Sequence, residues 1–267
     1  MSRNDLLKQV ERIEQMEQEL TVFNARRALS AVEKNLQVKK LGDCALLIDA
    51  NSPQSIYYNR IKGFGMNDLN NLDEILDVYH KESLTPCFDM TPNHLNEEVA
   101  KALFDRGYVS AEQLAFLQWQ PQWKDEHTHD LSIVAVTAEN VDVLMDMISQ
   151  SMGGVDQEII DKKKAYFYQP HFQNYLAYVG DEAAGMGSLF LSGDAGYIAN
   201  DYTIPQFRGR GCQSALVIHR MNEVKKMGLA QIYTDVEFGT TSHNNMLKLG
   251  FQTIFLNSFW IKRTQLD

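Results

Sequence analysis

Apolar residues near the start of the chain recur every three or four positions. Leu6, Val10, Ile13, Met16, Leu20 and Phe23 share one face with charged residues between them, which predicts a long amphipathic helix within residues 4–35, packed on a core or an interface. The same spacing at Val141, Leu144, Met145, Ile148 and Met152 predicts a second helix. Ala215, Leu216, Ile218, Met221 and Met227 predict a third, stopping at Gly228. Between them the pattern shifts to short runs rich in β-branched and aromatic residues. Residues 131–136, 174–179, 183–191, 195–204 and 231–238 read as strands, with a hairpin at Gly180-Asp-Glu and a stop at Pro205. Closer to the N-terminus, residues 85–92 read as a strand, His94 to Phe104 as a helix closing at Arg106-Gly-Tyr108, and residues 113–119 as a further strand.

This order predicts an α/β fold built on a mixed, twisted sheet with helices on both faces. Residues 120–130, polar and carrying His127 and His129, read as a linker between a first unit at 1–125 and a second at 131–267. Each unit closes with a strand, a helix, a glycine-aromatic pair (Gly107-Tyr108, Gly250-Phe251) and a last strand. The fold is therefore expected twice in tandem, the first copy degenerate. Asn59-Arg-Ile-Lys-Gly-Phe-Gly65 reads as a structural turn, because Asn67-Asp-Leu-Asn-Asn after it is turn-like and no long helix follows at once.

Composition narrows the class. With 267 residues, 44% of them hydrophobic, there is room for two domains of ordinary size. No apolar run is long enough to span a bilayer and the N-terminus lacks a signal peptide's apolar stretch, so a cytoplasmic protein is expected. A formal charge of −10 argues against nucleic acid. Residues 1–130 carry 14 basic and 21 acidic groups, and residues 131–267 carry 11 and 14, so the acidity lies mainly in the first half. Such a surface suits a cationic acceptor as well as simple solubility. Cys44, Cys87 and Cys212 are far apart in sequence and form neither a metal spacing nor a disulfide framework; free thiols and no metal are expected.

One loop runs against the acidic trend. Thr203-Ile-Pro-Gln-Phe-Arg-Gly-Arg-Gly-Cys212 stands between a strand and a long helix. Gly209 and Gly211 let the backbone approach a ligand, the helix start offers unpaired N–H groups, and Arg208 and Arg210 add cations, which together suit a pyrophosphate. The loop resembles the acetyl-CoA loop of the GCN5-related N-acetyltransferases, Gln/Arg-x-x-Gly-x-Gly/Ala, with Gln206, Gly209 and Gly211 in the pattern positions. Ser242-His-Asn-Asn-Met-Leu-Lys-Leu-Gly-Phe251 is similar to the Ser-x-x-Asn and Gly-Phe elements of that family's next helix. The first half resembles the leading domain of uncharacterised two-domain members.

The resemblance implies an acyl-CoA N-acyltransferase fold and acetyl transfer from acetyl-CoA to a primary amine of a small molecule or peptide, by direct attack in a ternary complex. It places acetyl-CoA at Thr203, Ile204, Gln206, Arg208, Gly209, Arg210, Gly211, Cys212, Ser242 and Asn245, with a backbone N–H from around Tyr202 to Ile204 on the thioester carbonyl. Met246 occupies the position at which the family usually has a tyrosine acid, so either Tyr202 or Tyr233 is the acid or the thiolate takes its proton from solvent. Asp201 (with Asn200 beside it) and Glu237 are the base candidates, and strand alternation lets only one of Asn200 and Asp201 face the cleft. Ser242 would cap its helix and His243 lie in the first turn. A CoA-binding regulatory module is the alternative function. A dinucleotide-binding enzyme is disfavoured, since Gln213-Ser-Ala stands where the third glycine of its fingerprint would be. The acceptor's identity and a homodimer stay open.

Overall fold

The computed structural model describes residues 3–124 and 130–265; His127 and His129 lie outside the described residues. The N-terminal region runs α1 (Arg3–Arg27), β1 (Gln37–Leu41), β2 (Cys44–Ile48), β3 (Arg60–Lys62), α2 (Leu72–His80), β4 (Cys87–Met90), α3 (Glu97–Asp105) and β5 (Tyr108–Trp119). The C-terminal region runs β6 (Leu131–Ala135), α4 (Val141–Ser151), α5 (Gln157–Lys163), β7 (Phe172–Val179), β8 (Glu182–Ser192), β9 (Ala195–Thr203), α6 (Cys212–Lys226), β10 (Gln231–Glu237), α7 (Thr241–Lys248) and β11 (Gln252–Lys262). α1 ends at Arg27, short of the expected 35, where the Arg27 side chain bonds Asn24 and lies 4.5 Å over the Phe172 ring. β1, β2 and β3 were not anticipated. They are short, and β1 is an exposed edge strand bearing Lys39 and Lys40.

The strands join in one 11-stranded sheet ordered β1-β2-β3-β4-β11-β5-β10-β9-β8-β7-β6. β3 with β4 and β9 with β10 pair in parallel, and the other neighbours are antiparallel. The centre is interlocked. The helix α3 carries the chain from β4 to β5, which run in the same direction one strand apart, and β11 fills the gap. In the same way α7 links β10 to β11, and β5 fills the gap between them. Each region thus supplies the strand that completes the other's sheet.

Side-chain alternation along β5 shows why the centre holds. Phe116 enters the layer formed with α1 and α4, where it stacks on Phe255 of β11 at 4.7 Å, while Ala115, Leu117 and Trp119 enter the opposite layer with α6 and α7. A third cluster joins β2, β3 and β4 to α2 and α3.

A buried ionic group ties α1 to the N-terminal strands. Arg60 Nη2 donates to Glu17 Oε1 at 2.5 Å and its Nη1 to Asp89 Oδ2 at 2.9 Å; Lys62 Nζ reaches Asp89 at 2.7 Å and Glu17 Oε2 at 3.1 Å. Thr21 and Asn257 complete the hydrogen bonds to these carboxylates.

Candidate active site

β9 and β10 pair only over Ala195–Tyr197 and Gln231–Tyr233, then diverge. Two adjoining cavities open there, at the carboxyl ends of parallel strands, where open α/β sheets bind ligands. The first, about 460 Å³, is lined by Tyr202, Thr203, Arg208, Gly209, Gly211 and Asn245, among others. Gly209 and Gly211 have φ of 79° and 82°, and no atom lies within 4 Å of a Cβ at either, so the loop presents bare backbone. Gly211 is the N-cap of α6 without a side-chain cap, and the first bond inside the helix runs from Ala215 N–H to Gly211 O. The N–H groups of Cys212, Gln213 and Ser214 are therefore the free donors of that helix start, and Arg208 stands beside them. This is an anion cradle that fits a pyrophosphate.

The second cavity, about 280 Å³, lies in the wedge between the strands. One wall is Asn200 and Asp201 of β9, the other Thr234 and Asp235 of β10; Leu20, Asn24 and Tyr57 of the N-terminal region close it. Asp201, Gln213 and Ser242 line both cavities. Alternation along β9 fails here because of a β-bulge. Asn200 and Asp201 together oppose Gly187, and Asn200 takes a left-handed φ of 53°, so both side chains line the wedge rather than one.

Asp201 is held by Arg220, a fully buried residue of α6 that also donates to the carbonyls of Leu216, Ser188 and Ala199. Burial pushes the Asp201 carboxyl above the usual range and Arg220 pulls it back. Asp235 accepts a hydrogen bond from Tyr197 Oη at 2.5 Å, and it too is raised, by burial first and then by the charge of Glu17, against the Tyr197 hydrogen bond.

The remaining expected residues divide. Cys212 and Ser242 line the first cavity; burial raises the Cys212 thiol, so it stays protonated. Thr240, not Ser242, caps α7, its hydroxyl accepting from His243 N–H at 3.3 Å, because the helix begins two residues earlier than the motif suggests. Gln213 joins Ser242 to Asn245, with Nε2 3.4 Å from Ser242 Oγ and Oε1 accepting from Asn245 Nδ2 at 2.9 Å. His243 is buried, accepting from Gly239 N–H at 3.1 Å. Gln206 and Arg210 are exposed, the latter over Phe207, and Ile204 N–H donates to Ala184 O on β8; none of these three lines either cavity. Glu237 is exposed and Tyr233 is buried beside α1; neither lines the cavities. Met246 is buried in the wedge wall.

Asp235, Gln213, Arg220 and Tyr57 were missed. Gly187 inside a strand and Arg220 on an apolar helix face were the available signals for the bulge and its anchor. Tyr57 comes from a distant part of the chain and gave none.

A family model described as acetyltransferase (GNAT) family matches residues 142–251. No curated protein matches the chain in sequence. Among solved structures, a GCN5-related N-acetyltransferase from Kribbella flavida is 11% identical with a TM-score of 0.65, over 86% of this chain and 90% of its own. A tandem GNAT protein from the clavulanic acid biosynthesis pathway is 11% identical with a TM-score of 0.60, over 92% and 94%. A functionally unknown conserved protein from Staphylococcus epidermidis is 12% identical with a TM-score of 0.60, over 86% and 94%. The likeness to the tandem protein extends over most of the chain, and the segment matched by the family model contains the loop, the two strands that wall the wedge, and α7. The chain therefore has a GNAT-like fold and carries, in its C-terminal region, a domain of the acetyltransferase (GNAT) family.

Proposed function

We propose that the protein is an acetyl-CoA-dependent N-acetyltransferase acting on a primary amine by direct attack in a ternary complex. The observation that carries this is the junction of an anion cradle with a carboxylate-lined wedge through shared Asp201, Gln213 and Ser242. The cradle takes the pyrophosphate, and Ser242 and Asn245 follow the pantetheine arm. Ile204 N–H points to β8, so strand alternation turns Thr203 N–H toward the wedge, where it polarises the thioester carbonyl. The amine enters between Asp201 and Asp235. Its nitrogen attacks the carbonyl carbon, the C–S bond breaks, and the thiolate leaves. Asp235, to which no cation is bonded among the described residues, is the stronger base and takes the amine's proton; Asp201, paired with Arg220, holds the ammonium form. Tyr202 in the first cavity is the hydroxyl that protonates the thiolate.

The N-terminal region is read as a degenerate copy that walls the acceptor side through Leu20, Asn24 and Tyr57. Calorimetric titration with acetyl-CoA, followed by CoA-thiol release with a panel of amines, tests the proposal. One site per chain is expected. Gly211→Val, which places a β-branched residue at a left-handed φ of 82°, is expected to weaken acetyl-CoA at least about tenfold. A folded Gly211→Val protein that binds as its parent does removes the cradle from the mechanism.

A further inference from the structure

The parallel pair β3–β4 repeats the arrangement of β9–β10: a strand, a turn, a short 3-10 helix, an α-helix and a parallel neighbour. A third cavity, about 690 Å³, opens at the matching place, beside Gly63, Gly65 and the segment leading into α3. Its chemistry is the reverse of the cradle's. Glu11 and Glu14 of α1, Asp43 and Asp68 line it. Asp68 is only 1% exposed; its Oδ1 accepts from Asp43 N–H at 3.0 Å, and among the described residues no nitrogen or oxygen donor reaches its buried Oδ2, the Cys44 thiol being the polar group beside the carboxylate. Glu14 Oε1 likewise has no donor at hydrogen-bond distance among them, with Lys62 Nζ 3.9 Å away. Lys62 is already engaged by Glu17 and Asp89, and burial lowers the pKa of His94, which keeps it neutral near pH 7. Lys40 is the other cation in the lining, and it is exposed.

Two buried carboxylate oxygens without a nitrogen or oxygen donor at hydrogen-bond distance are costly unless a ligand supplies one. Among the described residues no three acidic, His or Cys groups converge closely enough to hold a metal ion. The carboxylates instead come from separate parts of the chain, α1, the turn before β2 and the turn before α2, around a cavity of about 690 Å³. We propose that this cavity binds an organic polycation, a di- or polyamine whose separated ammonium groups pair with Glu14 and Asp68. The site is distinct from the acceptor wedge and does not depend on the acetyl-transfer reading.

The test is calorimetric titration of the full-length protein with spermidine, with butylamine as the single-charge control. Spermidine is expected to bind at least about tenfold more tightly than butylamine, and more weakly as salt rises. Glu14→Gln and Asp68→Asn, which keep shape, are each expected to weaken spermidine about tenfold or more while acetyl-CoA affinity is kept. Asp201→Asn should leave this binding unchanged. Absence of spermidine binding up to about 10 mM overturns the proposal. So does binding unaffected by Glu14→Gln, or binding abolished by Asp201→Asn, which would locate the amine in the wedge.

Discussion

At the scale of single residues the reactive geometry depends on a missing methyl group. A Cβ at Gly187 would lie 2.6 Å from Arg220 Cζ and 2.7 Å from Asp201 Oδ1. Neither atom is a free chain end, since Arg220 is fastened to three carbonyls as well as to Asp201. Gly187→Ala is expected to destabilise the fold by about 1–3 kcal/mol and to lower kcat/KM; thermal unfolding and steady-state kinetics read the two separately. Asp235→Asn is a sharper test of chemistry, with kcat/KM expected to fall by about 10²–10⁴. Because the Asp235 carboxyl is raised, the acidic limb of the parent pH profile should lie above the ordinary carboxylate range and vanish in the variant. A limb that persists in Asp235→Asn assigns the base elsewhere. The sequence made the cradle legible because glycine spacing and a helix start are local chemistry. It hid Asp235, which reads as an ordinary strand residue until β9 and β10 part.

At the scale of elements, α1 sets an electrostatic imbalance. Arg60 and Lys62 face Glu14, Glu17 and Asp89, so three carboxylates share two cations and Glu14 has only a long contact with Lys62. For Glu17, burial raises the carboxyl but Arg60 and Lys62 outweigh it, and its pKa falls to about 2. Glu14 is pushed up to about 7, by burial first, with Lys62 opposing and Asp89 and Glu17 adding to the rise. The two act on stability with opposite signs. Glu17, depressed, contributes stability that is present above about pH 4.5 and is lost as pH falls toward 2. Glu14, raised, favours the folded state while protonated, and that advantage is lost as pH climbs from about 4.5 through 7. Glu14→Gln should therefore be more stable than the parent at pH 8, by on the order of 3 kcal/mol, and nearly equal at pH 5. Melting temperatures across that range decide it, and an equal gain at both pH values would show that ionisation of Glu14 is not the cause. Such a carboxylate, kept at a cost to stability, is what a cation-binding site requires.

At the scale of the whole molecule, the strands from β4 onward were readable, the short β1, β2 and β3 were not, and outside the β7–β8 hairpin neither were the strands' neighbours. Alternation along Gln113–Trp119 assigns each side chain to a face of the sheet, but it carries no information about which strand lies alongside. That choice is made by long-range packing: Phe116 against Phe255, and Leu117 and Trp119 in the layer with α6 and α7. A division near residues 125–131 therefore follows the chain but crosses the sheet. A fragment of residues 131–267 would lack β5, leaving β10 and β11 with a strand-wide gap between them and removing Ala115, Leu117 and Trp119 from the core. Unpaired strand edges flanked by exposed apolar side chains favour aggregation over folding. The fragment is expected to be insoluble or to unfold without a cooperative transition, and co-expression with residues 1–124 is expected to restore a soluble one-to-one complex. Gel filtration and thermal unfolding distinguish these outcomes. A monomeric fragment with a sharp melting transition would mean that β11 can close directly on β10, and that the interlock fixes the arrangement of the two regions without being needed for either to fold.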